Sequence, residues 1–180
     1  MRAFIALFRG INVGGKNKLP MKDLASLMEG MGLKNVSTYI QSGNVVFQAV
    51  SSKDSGLATK IKDSIVERYG FRPELIILDK TAIDKAISEN PFSEADSEPN
   101  TVHLTFLSAL PINPDVKALE RIRKPSERFA LKGQVFFLHA PDGIGRSKLA
   151  ARIERSLGVS GTARNWRTVL KLQEMIQACT

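Results

Sequence analysis

Ten residues near the start of the chain, Arg9 to Lys18 (RGINVGGKNK), bring together three glycines, two asparagines and three cations. Glycine lets the backbone take positive φ and approach a ligand closely, while cations and free N–H groups attract anions. The chemistry these types suggest is anion binding. Gly10 to Lys16 also satisfies the spacing G-x-x-x-x-G-K of a phosphate-binding loop. The hydroxyl that such a loop uses for magnesium is replaced by Asn17, and Lys18-Leu19-Pro20 delays any helix, which argues against nucleotide hydrolysis. A plain anion nest and a purely structural glycine connection both remain open for this loop.

Two further polar segments carry similar residue types. Ser42-Gly43-Asn44 has turn composition, with amide and hydroxyl groups able to position a phosphate or a water. Thr162, Arg164, Asn165 and Trp166 combine a cation, a helix-capping residue and an aromatic plane. For Trp166 the competing role is anchoring a helix in the core. Gly143 to Lys148 (GIGRSK) opens a predicted helix whose N-terminus attracts anions, or forms an ordinary turn. Arg121, Arg123, Lys124, Arg128 and Lys132 cluster as a phosphate-contacting stripe or a solvated face. His139 and Asp142 are the one His–carboxylate pair close in sequence, either a base with its orienting partner or a strand end and its turn. His103, in mid-strand, is read as structural. One cysteine (Cys179) and two histidines support neither a disulfide nor a zinc site, so no metal and no cofactor is expected.

Positioning these segments falls to an alternation of apolar patterns. Ala3 to Phe8 is an opening strand. Met21, Leu24, Leu27, Met28 and Met31 then recur at helical spacing, with Pro20 at the first position and Gly32 as the stop. Val36 to Gln41 and Asn44 to Phe47 form a hairpin, Leu57, Ile61 and Ile65 mark a helix ending at Gly70, and Leu75 to Leu78 is a strand. Thr81 with Asp84 resembles a capping box. After the polar stretch Asn90 to Asn100, the pattern resumes: strand 102–107, a helix capped at Asn113-Pro114, a hairpin around Lys132 to Gln134, and a helix stopped by Gly158. Thr162 to Ala178 is read as a last helix with no strand before it.

The order βαββαβα followed by βαββαα predicts an α+β fold of two similar ferredoxin-like (split βαβ) subdomains, an internal duplication. The boundaries are 1–90 for the first, 91–100 for a linker and 101–180 for the second. In a split βαβ layer the loop after strand one and the turn between strands two and three lie at one end of the sheet. RGINVGGKNK is therefore expected beside Ser42-Gly43-Asn44. Arg164 and Asn165 join them if the two halves share one cleft.

RGINVGGKNK followed by Met21 and Leu24, then YIQSGNVVF (Tyr39–Phe47), then TARNWRTV (Thr162–Val169), resembles the bacterial domain of unknown function 1697 (DUF1697). The resemblance implies two similar α+β subdomains and no established activity. It marks Arg9, Gly10, Asn12, Gly14, Gly15, Ser42, Gly43, Asn44, Thr162, Arg164, Asn165 and Trp166 as motif positions, to which the loop chemistry adds Lys16.

Composition bounds the rest. The net charge of +8 is uneven: residues 1–98 hold 13 Lys/Arg against 12 Asp/Glu, and residues 99–180 hold 13 against 6. Such asymmetry favours anionic partners, or serves solubility. No apolar run approaches the roughly 20 residues of a membrane helix. The N-terminus lacks a small-residue cleavage site, so a cytoplasmic protein is expected. The leading expectation is a phosphate-bearing ligand, nucleotide or nucleic acid, held by the Arg9–Lys18 loop. The alternatives are an enzyme acting on a phosphorylated small molecule and a protein-interaction module with a structural loop.

Overall fold

The computed structural model describes residues 1–50 and 56–179. Its elements are β1 (Arg2–Arg9), α1 (Met21–Gly30), β2 (Lys34–Tyr39), β3 (Asn44–Ala49), α2 (Leu57–Tyr69), β4 (Glu74–Asp79), α3 (Lys80–Ser88) and α4 (Glu94–Ser97), followed by β5 (Val102–Leu107), α5 (Val116–Ile122), β6 (Arg128–Lys132), β7 (Val135–His139), α6 (Ile153–Leu157), β8 (Gly161–Asn165) and α7 (Trp166–Ala178). They form two compact units, Met1–Lys85 with Lys171–Thr180, and Ala86–Leu170.

The first unit holds an antiparallel sheet in the order β2-β3-β1-β4. β1 is central because it is the most continuously apolar strand: its six inner residues are all buried. It pairs with β3 through Leu7 opposite Asn44 and with β4 through Phe8 opposite Leu75. Alternate residues point to opposite faces, so Phe4, Ala6 and Phe8 meet Leu24 and Met28 of α1 and Ile61 and Ile65 of α2 in one core. Gly32 at φ +88° ends the α1 turn, its N–H donating to Glu29 O at 2.9 Å, and Gly70 at φ +76° closes α2 by donating to Val66 O at 2.9 Å. The C-terminal segment is tied in by Gln173 Nε2 to Asp84 Oδ1 (2.8 Å) and Gln48 Nε2 to the Cys179 carbonyl (2.5 Å).

The second unit repeats the order as β6-β7-β5-β8. Each strand corresponds to the one four places earlier, which is the duplicated split βαβ pattern expected from the sequence. Its core joins Leu119 of α5 and Ile153 and Leu157 of α6 to Leu107, Phe136 and Leu138 of the sheet.

Four local expectations are corrected. The second half does have a last strand: residues 161–165 pair with β5, Gly161 opposite Leu107 and Asn165 opposite His103, and the helix starts only at Trp166. Five residues with one alanine as their only apolar member give no strand pattern of their own. β8 forms because Gly161 lets it lie against Thr105 and Phe106, where a Cβ would come within 2.6 Å of Thr105 Cγ2. α5 is capped by Asp115, whose Oδ1 accepts from Ala118 N–H at 3.0 Å, and not by Asn113. α3 is capped by Asp79 rather than Thr81, through Ala82 N–H at 2.8 Å. Pro20 stands just before α1 with ψ 135°, one place earlier than expected. The polar stretch 91–100 carries α4, with Phe92 and Ala95 buried. No helix among the described residues is long and apolar enough to cross a membrane.

Gly43 is the tightest point of the first unit. It has φ +81°, and a Cβ there would stand 2.7 Å from Phe8 Cβ and 2.9 Å from Ile11 Cδ1. Gly43→Ala is therefore expected to destabilise by about 2–4 kcal/mol, from the left-handed backbone and the overpacking together. Gly10→Ala, at the same φ of +81° but with open space around it, should cost only about 1 kcal/mol. Urea denaturation of the two variants checks the difference.

His103 is buried in β5, and burial holds its imidazole below the ordinary value of about 6.5, partly opposed by a hydrogen bond with the Asn100 backbone. A depressed histidine binds its proton more readily unfolded than folded. Its contribution is thus complete above pH ~6.5 and declines as pH falls below that, by up to about 1.4 kcal/mol per pH unit. Unfolding free energies between pH 7.5 and 5 should fall less steeply for His103→Gln than for the parent protein; equal slopes would contradict the assignment.

Candidate functional site: the glycine loop of the first unit

The loop leaves β1 and returns to α1 as a small closed finger. Its two ends are anchored in the core by Ile11 and Leu19, at 2% and 0% exposure. Between them the chain takes positive φ at Gly10, Asn12, Gly14, Gly15 and Asn17. All five are glycine or asparagine, the types that tolerate this region best. Gly14 and Gly15, at φ +59° and +73°, are the central pair of a tight Val13–Lys16 reverse turn in which Lys16 N–H donates to Val13 O at 3.1 Å. Two successive left-handed residues give the I′ geometry that closes a hairpin.

Asparagine side chains hold the finger shut. Asn12 Nδ2 donates to Leu19 O (2.7 Å) and Gln41 O (3.2 Å), while its Oδ1 accepts from Leu19 N–H (2.8 Å). Asn17 Nδ2 donates back to Gly10 O at 2.8 Å, and Asn12 N–H donates to Asn17 O at 3.1 Å. The bond to Gln41 and that from Phe8 N–H to Gly43 O (2.8 Å) join the finger and β1 to the β2–β3 turn. The expected neighbourhood of RGINVGGKNK and Ser42-Gly43-Asn44 is therefore present.

These residues divide into those that hold and those that face solvent. Asn44 is 0% exposed and its Nδ2 donates to Tyr39 O (3.1 Å) and Ser42 Oγ (3.0 Å), so it serves the turn. Gly43 is buried as well, whereas Ser42 is exposed. Arg9, Gly10, Gly14, Gly15, Lys16 and Lys18 are exposed. The phosphate-loop spacing does not have the matching fold: four residues separate Lys16 from α1, so no helix N-terminus stands behind it.

The remaining motif residues lie in the second unit. Thr162 and Arg164, on β8, share one face of the sheet, opposite Phe106 and Leu104. Thr162 is buried with Oγ1 unbonded among the described residues, and half-buried Arg164 has its guanidinium pushed down to about 10 by burial, still cationic at neutral pH. Asn165 Oδ1 caps α7 by accepting from Thr168 N–H at 2.9 Å, and Trp166 is buried in its first turn.

Two other sequence candidates dissolve. His139 Nδ1 lies 3.3 Å from the Arg128 guanidinium, while Asp142 accepts from Ser126 at 3.0 Å and pairs with Lys124 at 3.8 Å, so no His139–Asp142 dyad forms. Ile144–Arg146 is a single 3-10 turn rather than the start of a helix, and Ser147 Oγ caps the next turn at Ala150. Among the described residues no three His, Cys, Asp or Glu side chains group to hold a metal. Reading by motif also missed Asn17 as a clamp. Its signal was the restriction of 10, 12, 14, 15 and 17 to Gly and Asn.

The family model described as a protein of unknown function (DUF1697) matches residues 1–137. The chain belongs to the DUF1697 family. Both polar motifs of the first unit fall inside the matched residues, and Thr162–Val169 falls outside them. Among solved structures, the fold is similar to that of the conserved bacterial protein SP0830 from Streptococcus pneumoniae, with a TM-score of 0.77 at 23% identity, covering 97% of this chain and 98% of that one. No curated protein matches the chain.

Removing the Asn12 amide takes away three hydrogen bonds and leaves Leu19 N–H and two carbonyls short of a partner. Asn12→Ala is expected to cost about 2–3 kcal/mol in thermal or urea unfolding. Lys16→Ala, on the exposed tip, should stay within about 0.5 kcal/mol of the parent.

Proposed function

We propose that this DUF1697 protein binds a phosphate-bearing ligand of the nucleotide or nucleic-acid class at the tip of the glycine loop. The observation that carries the reading is the exposed Gly14-Gly15-Lys16 tip on a loop whose own polar side chains are spent on internal bonds. Neither glycine N–H has a hydrogen-bond acceptor among the described residues, and Lys16 and Lys18 stand beside them. A loop already locked in shape gives up little conformational entropy when an anion docks, so even a modest charge count yields useful affinity. Gly14 and Gly15 supply backbone donors, Arg9, Lys16 and Lys18 supply charge, and Asn12 and Asn44 fix the geometry from behind.

Calorimetric titration with pyrophosphate and with nucleoside triphosphates tests the reading. Binding should weaken at least about tenfold, or 1.4 kcal/mol, in the Lys16→Ala/Lys18→Ala variant, with its unliganded melting temperature unchanged. Equal affinity in parent and variant would contradict it.

A further inference from the structure

Three of the five cations that cluster in the sequence, Arg123, Lys124 and Arg128, are paired with carboxylates by the fold. Arg123 pairs with Glu120 at 2.6 Å and donates to Glu127 O, Lys124 pairs with Asp142, Arg128 pairs with Glu94, and Lys132 donates to Glu89 O at 2.7 Å. Of that stretch Arg121 and Lys132 have no carboxylate partner among the described residues. Eight exposed cations of the second unit have no ion pair among the described residues: Lys132, Arg167, and six that belong to two neighbouring segments, Lys117 and Arg121 on α5 and Arg146, Lys148, Arg152 and Arg155 on the segment that ends in α6.

These six lie on one layer. Leu119, Leu149, Ile153 and Leu157 point from it into a common core against the sheet, so the residues between them project outward. Lys117 and Arg121 are four apart, and Arg152 and Arg155 three apart, spacings that stack side chains on a helix face. The carboxylates nearby are engaged: Glu120 with Arg123, Glu154 with Gly161 N–H at 3.2 Å, and Asp115 with the α5 cap. Four of the six are arginines, whose planar fork matches phosphate oxygens. No aromatic side chain of the second unit is exposed, so the layer has no platform for stacking bases.

From this distribution we infer that the outer face of α5 and of the Arg146–Arg155 segment binds the backbone of double-stranded nucleic acid without reading its sequence. The surface belongs to the second unit and does not depend on the function proposed for the glycine loop. Neutralising phosphates releases counterions, so affinity must fall steeply with salt, with a slope in log–log form of about −0.9 per phosphate contacted.

The test is fluorescence-anisotropy titration of the full chain with a short mixed-sequence DNA duplex across about 50–200 mM salt. The parent should bind, and Arg121→Gln/Arg152→Gln/Arg155→Gln should make the slope shallower by about 2–3 and weaken low-salt binding more than tenfold. All three positions are exposed, and a circular-dichroism melt confirms that the variant is folded. The inference is overturned if the parent binds no duplex at low salt or if the slope survives the triple substitution. It is equally overturned if the layer's arginines are needed only for anionic phosphatidylserine vesicles, a readout made pertinent by the exposed aliphatic side chains Leu110 and Ile112.

Discussion

At the end of the first sheet, the β2–β3 turn lies directly on β1. Phe8 N–H reaches Gly43 O at 2.8 Å, and the missing side chain of Gly43 leaves the space that Phe8 and Ile11 occupy. That approach sets where the chain leaves β1. It brings Gln41 within reach of Asn12, whose amide then fixes Leu19 and so the entry to α1. A bulkier residue at 43 would lift the turn and take the whole loop with it. The geometry of the exposed tip is thus decided by packing more than by anything at the tip itself.

The loop separates two tasks that polar residues often share. Asparagine amides close the finger by bonding backbone groups that would otherwise be left without partners, a penalty of about 1–3 kcal/mol each when buried. Lysines and glycine N–H groups are left to solvent. A purely structural glycine connection would need the first set and not the second, and this contrast is what favours a ligand. The corresponding connection of the second unit, between β5 and α5, is built differently. It has exposed Leu110 and Ile112, with Ser108 N–H bonded to Ser160 O and Asp115 N–H to Ser156 O, both at distances below 3 Å. Duplication of architecture has not carried duplication of chemistry.

Much of the fold was legible because burial leaves a period in the sequence. Met21, Leu24, Leu27 and Met28 are one helix face, and the apolar Leu75 to Leu78 run is a strand. β8 left no such trace, since Thr162, Ala163, Arg164 and Asn165 are recruited by the edge of β5 and by the small size of Gly161. Caps were displaced by a residue or two, as at Asp79 and Asp115, because several capping residue types stand side by side. In the candidate site, the adjacency of the loop and the turn followed from topology alone. The division between holding and exposed residues did not, because Asn12, Asn44 and Lys16 are all simply polar until the hydrogen bonds are drawn. The contacts of the cations were hidden for a similar reason: the Glu94 carboxylate that pairs with Arg128 and the Glu89 carbonyl that accepts from Lys132 lie more than thirty residues away.

If a phosphate docks at the tip of the glycine loop, the amides of that tip must sense it. Backbone amide shifts in 1H–15N spectra, followed through a titration with pyrophosphate, read this at single residues. Saturable shifts are expected at Gly14, Gly15 and Lys16, with Asn44 and the core of β1 nearly still. Shifts absent from the loop at saturating pyrophosphate, or centred elsewhere on the first unit, would contradict it.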